Sequence, residues 1–240
     1  MSPLRSTVTL PAVIVGLAVF LVVSVLGAGL PIAVIAGAVI AIAFARVVSG
    51  RAVGVVMKSL GARPALVGEF PRLHNTVGGL CLTHGIEIPE LFVIDTPAGN
   101  AAAMAGREGT SIVLTTGAAD RLGLVELEAL VALLMVRCGD DGLVADTTKA
   151  SMGRLAGPRL IGTTDADPDR LIQFDFDGAD LTRFPPGMQT ALQALAELGT
   201  EVDAPGATSR LWLLQPDGRT DVSTTSHPTV EVRVDALGEC

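Results

Sequence analysis

The sequence has no tyrosine, a single tryptophan and an aromatic share of only 3%. Its hydrophobic share is still 49%, so Ala, Val and Leu supply the apolar mass. Charged residues make up 18%, below the usual quarter. Lysine is scarce: Lys58 and Lys149 stand against fifteen arginines, a skew that fits a GC-rich bacterial genome. Cys81, Cys138 and Cys240 are odd in number, far apart and in no CxxC pair. That argues against a disulfide framework and for a reducing compartment. No GxSxG, Walker loop or Rossmann fingerprint occurs, and no repeat at a solenoid period.

Acidic residues are missing from the front of the chain. Residues 1–63 hold Arg5, Arg46, Arg51, Lys58 and Arg63 and no Asp or Glu. The remainder holds 12 basic and 25 acidic groups, an excess that would repel nucleic acid. The basic front suits an anionic membrane surface.

Charge of either sign is absent from Ser6 to Ala45. Forty such residues are too many for one membrane span and about right for two. Gly27-Ala28-Gly29-Leu30-Pro31 divides them with turn-forming residues. The arms run roughly Val8–Leu26 and Pro31–Val48, each close to 30 Å at about 1.5 Å per residue. A cleavable signal peptide ending near Ala28 is the competing reading, but the first arm is long for one and a second follows at once. The expectation is a transmembrane helical hairpin over 1–48. Ala33, Gly37 and Ala41 form either a small-residue packing seam or a plain Ala-rich face. Basic residues flank both arms and the turn is uncharged, which predicts both ends and the acidic body on the cytoplasmic side of a bacterial membrane. A basic juxtamembrane segment, 49–63, follows. As a helix it puts Val53, Val56, Met57 and Leu60 on one face, to rest on the membrane surface or to serve as a plain linker.

Residues 64–240 read as a mostly helical α+β domain. Pro71 opens a helix through "FPRLHNTVGGLCLTHG". "ELFVID", "TSIVLTT" and "RLWLLQP" read as strands. One long apolar helix is expected from about Ala118 to Arg137, an amphipathic one in "GMQTALQALAELG", and a short last one in "HPTVEVRVDALGE" after Pro228.

The order of these pieces resembles the HtpX-like membrane zinc metallopeptidases, relatives of the CAAX prenyl endopeptidases. The carrying stretches are "IPELFVIDTPAGNAAAMAGREGTSIVLTTGAADRL", "LVELEALVA", "FDGADLTRFPPGMQTALQALAEL", and "LWLLQP" with "TSHPTVEVRVDAL". The resemblance covers about residues 64–238 and implies a zincin-like fold holding zinc. In that family an HExxH helix gives zinc two histidines and a general-base glutamate, and a later glutamate is the third ligand. Matched to those motifs, Leu133 and Arg137 take the histidine positions, Leu134 the base and Phe176 the third ligand. Leu and Phe have no lone pair to give, and a guanidinium repels Zn²⁺.

No catalytic residue and no metal ligand is therefore expected, and residues 124–137 read as a buried core helix. Cys138, Asp140, Asp141, Asp175, Asp177 and His227 are the candidates for a displaced site; His74 and His84 fall outside the matched positions. Asp165, Asp167, Asp169, Asp175, Asp177 and Asp180 invite a calcium reading, but "DADPDR" lacks the EF-hand glycine and closing glutamate, so they read as a solvated acidic loop. His227 matches the family's Thr-His-Pro histidine and is expected to fix the start of the last helix. Asn100, Ala101 and Ala102 match an edge strand that can bind an extended peptide, if the cleft persists. The expected function is a membrane-anchored, non-catalytic pseudopeptidase that contacts the lipid bilayer and binds a protein partner or client polypeptide. An active zinc endopeptidase with displaced ligands, and a structural subunit of a membrane complex, are the alternatives.

Overall fold

The computed structural model describes residues 3–156, 168–224 and 226–239. Two apolar helices lead the chain: α1, Pro3–Val25, and α2, Leu30–Leu60. Both are long and apolar enough to cross a membrane, and no other helix among the described residues is. The turn between them falls in the Gly/Pro stretch, with Gly27 at φ 83°. The small residues form a seam. A Cβ on Gly37 would lie 2.6 Å from the carbonyl oxygen of Gly16, and one on Gly16 would lie 2.8 Å from that of Gly37. Only glycine allows backbones that close. The seam thus joins the two arms of one hairpin, so it no longer argues for assembly with other subunits.

Helix α2 does not stop at residue 48. It runs unbroken to Leu60, where Gly61 caps it in the left-handed conformation at φ 64°. The face predicted for 49–60 is real, but it does not rest on a membrane surface. Val56, Met57 and Leu60 are buried in the core of the following domain, with Val53 packed against it. Arg46, Arg51 and Lys58 stay exposed on the other side of the helix.

The domain is α+β. Its strands are β1, Arg63–Pro64; β2, Glu90–Ile94; β3, Ala101–Ala105; and β4, Thr110–Thr115. They form one sheet in the order β1-β2-β4-β3. β2 and β4 run parallel, while β1 and β3 pair antiparallel with them. The helices are α3, Pro71–His84; α4, Thr116–Arg121; α5, Leu124–Cys138; α6, Leu143–Ala156; α7, Pro168–Thr182; α8, Pro185–Glu197; and α9, Val230–Gly238. Pro71 and Pro185 open their helices, where a missing N–H costs nothing.

Two expectations fail locally. The long helix from Ala118 is two helices. The Thr115 side chain caps α4 by accepting from Ala118 N, the chain is extended at Leu122 and Gly123, and Glu126 Oε2 accepts from Gly123 N at 2.5 Å to start α5. The expected strand "RLWLLQP" begins as the end of a 3₁₀ turn, Gly206–Leu211, and makes one isolated antiparallel bridge, Trp212 to Ala102.

Candidate functional site

Helix α5 lies at the centre of the domain, against β3, β4, α3, α7 and α8. Leu133 and Leu134 are completely buried on it. α7 crosses α5 at very short range: a Cβ on Gly178 would sit 2.9 Å from Leu133 Cα. One turn earlier on α7, the Phe174 ring lies 6.0 Å from the Arg137 guanidinium. Phe174 and Gly178 are therefore the residues that α7 turns toward α5. Phe176 lies about 160° around the helix from each, at about 100° per residue, and packs against the core elsewhere. The structure does not bring Phe176 to the place where Leu133 and Arg137 lie.

Arg137, His227, Asn100, Ala101 and Ala102 do come together, around the chain segment 210–214. Arg137 is buried; its two terminal nitrogens donate to the carbonyls of Arg210 (2.8 Å) and Leu211 (3.0 Å). His227, at the entry to α9, contacts Trp212 O through Nε2 at 3.1 Å and Ser226 Oγ through Nδ1 at 3.0 Å. That pair is satisfied when Nε2 carries the proton and donates to the carbonyl. Arg233 on α9 donates to Leu213 O at 2.7 Å. Asn100 Nδ2 donates to Leu214 O at 3.0 Å and Thr200 O at 3.2 Å, while its Oδ1 accepts from Ala101 N and Leu214 N. Leu213 N donates to Ala101 O at 2.8 Å. The β3 edge at Ala101–Ala102, a peptide-binding edge only if the cleft persists, is covered by the protein's own chain.

Sequence reading named Asp175 only as a candidate metal ligand and missed its pairing with Arg233 in this cluster. Asp175 on α7 and Arg233 are both fully buried and form a two-point ion pair at 2.6 and 2.7 Å. The signal was present: Arg233 is the arginine of the His-Pro-x-x-x-x-Arg spacing begun by His227. Burial pulls Arg137 down to about 10, still protonated at neutral pH. Burial also pulls His227 down to about 4, against the carbonyl of Trp212, which favours the charged form; Arg233 and Arg137 add to the lowering. His227 is therefore a neutral imidazole at neutral pH.

The zinc implied by the family resemblance does not fit these residues. The donor atoms of His227 and Asp175 are already engaged, and a cation fills the neighbouring space. His74 bonds to Ala65 O at 2.7 Å on α3, and His84 ends that helix. Burial pushes Cys138 up to about 11, so it is a neutral thiol in the metal-free chain. Of the aspartates considered for a cation, Asp140 pairs with Arg170 and Asp177 accepts from Gln173 at 2.8 Å. Asp165 and Asp167 lie outside the described residues. Among the described residues no three His, Cys, Asp or Glu side chains gather as a metal site would need.

Curated relatives match most of the chain. It is 27% identical to the "Protease HtpX homolog" of Dictyoglomus thermophilum over 76% of this chain and 74% of the relative. It is 24% identical to that of Caldanaerobacter subterraneus over 76% of each, and 23% identical to that of Ligilactobacillus salivarius over 85% of each. No protein-family model and no solved structure matches. The similarity is to a family whose members bear the name protease. That family is the HtpX-like one. The sequence has no HExxH: its histidines are His74, His84 and His227.

Proposed function

We propose that this chain is a membrane-anchored, non-catalytic member of its family, a pseudopeptidase that engages a partner or client polypeptide. One observation carries the reading. Arg137 stands where the resemblance expects a zinc-binding histidine, and its guanidinium is committed to two backbone carbonyls. A buried cation with its donors used repels a divalent ion and supplies no electron pair to it. Leu133 and Leu134 fill the neighbouring motif positions with hydrocarbon. The scaffold is zincin-like in this reading, with α5 as the former metal helix.

The hairpin of α1 and α2 crosses the bilayer twice. Arg46, Arg51 and Lys58 keep the domain on the cytoplasmic side, where they meet anionic headgroups.

Elemental analysis of protein purified in detergent without chelator tests this. The expected result is zinc far below one atom per chain and no chelator-sensitive cleavage of an unfolded polypeptide such as casein. One zinc per chain overturns the reading and favours an active endopeptidase with displaced ligands.

A further inference from the structure

Five consecutive carbonyls, from Arg210 to Leu214, each accept a hydrogen bond from a buried side chain that is distant in sequence. Arg137 takes the first two, His227 the third, Arg233 the fourth and Asn100 the fifth. The donors come from α5, the entry to α9, α9 itself and the start of β3. A buried carbonyl normally finds its partner in backbone. Here that role falls to side chains, and two of the four are guanidinium groups.

The two arginines are not equivalent. Arg233 is neutralised in contact by Asp175. Among the described residues Arg137 has no carboxylate in contact; Asp146 and Asp140 act on it only at a distance. Among the same residues its buried Nε has no partner. Keeping such a charge inside is costly, and leucine or methionine would fill the space without that cost.

We infer that Arg137 is a built-in cross-link, a cation of the protein's own that ties α5 to the 210–214 segment and holds that segment closed over the β3 edge. Only the comparison with a lost metal position rests on the proposed function; the tie itself rests on the contacts. Releasing it frees the first two carbonyls and loosens Trp212 from Ala102, which opens the sheet edge that an extended polypeptide would need.

Trp212 is the only tryptophan and the chain has no tyrosine, so intrinsic fluorescence reads this segment alone. The test compares acrylamide quenching and emission wavelength of native wild type, R137M, R137K and L134A in the same detergent. Arg137→Met should raise quenching by at least about twofold and shift emission to the red, well below the unfolding transition. Arg137→Lys should fall between, because one ammonium cannot reproduce the two-point fork. Leu134→Ala removes buried volume from the same helix but no hydrogen bond to the segment. It should lower Tm while Trp212 stays protected.

Wild-type protection in R137M, or equal exposure in L134A, overturns the inference. If R137M does not fold, R137K decides: exposure of Trp212 supports the tie and wild-type protection refutes it. A zinc-loaded wild type would sink the non-catalytic reading while leaving this result unaffected.

Discussion

Acidification should destabilise this protein through one imidazole. His227 is buried, accepts from Ser226 and donates to the Trp212 carbonyl as a neutral ring. A second proton would turn the Ser226 contact round, with Nδ1 donating to Oγ, and place a charge beside Arg137 and Arg233. Burial, reinforced by those two arginines, holds the group at about 4 in the folded chain against an ordinary 6.5. Between those values the unfolded chain takes up a proton and the folded chain does not. The contribution is therefore complete above about pH 6.5 and is lost as the pH falls toward about 4. At about 1.4 kcal/mol per pH unit, that interval is worth about 3 kcal/mol.

The assay is urea unfolding in detergent, followed by Trp212 fluorescence, for wild type and His227→Gln near pH 7 and about pH 4. Glutamine keeps a donor for the carbonyl and does not titrate, so other acid-sensitive groups cancel between the two proteins. Wild type should lose about 3 kcal/mol more than the variant over this range. Parallel losses would refute the reasoning.

Three further outcomes follow from close contacts. Asp175→Asn leaves the Arg233 charge buried and uncompensated, so thermal unfolding should show a loss of about 3–5 kcal/mol; an unchanged Tm would mean that the pair contributes nothing. Gly178→Ala drives a methyl group to 2.9 Å from Leu133 Cα; the crowding should cost about 1–3 kcal/mol in urea titrations, and a neutral result would place α5 and α7 further apart. Arg183 holds a left-handed backbone at φ 54° just after α7. Arg183→Gly relieves that strain and should stabilise by up to about 1 kcal/mol in calorimetry.

Much of this architecture was legible because single residues announce it. Pro71 and Pro185 mark helix starts, the Gly/Pro stretch marks the turn of the hairpin, and the runs 90–94 and 110–115 carry the apolar and β-branched residues of a parallel pair. Helix α6 gave no such signal: "TTKASMG" has no apolar rhythm, and its place is fixed by contacts such as Ala105 N donating to Thr147 Oγ1. The break at Leu122–Gly123 was hidden because Leu122 continues the apolar pattern while the Thr115 and Glu126 caps decide the boundary.

The candidate site was half visible. The motif positions show which chemistry is missing. They do not show where a guanidinium goes once it replaces an imidazole, because that depends on which carbonyls long-range packing leaves without partners. Asp175 looked like a stray carboxylate in the sequence; only the fold supplies Arg233.

The uninterrupted course of α2 has a mechanical result. A rod of 31 residues is about 46 Å long, and its last turns are embedded in the globular part, with no flexible joint between. Any tilt or rotation of the apolar end is carried undamped to the other, so the domain has little freedom to swing. Its height and heading are fixed by how the rod is seated.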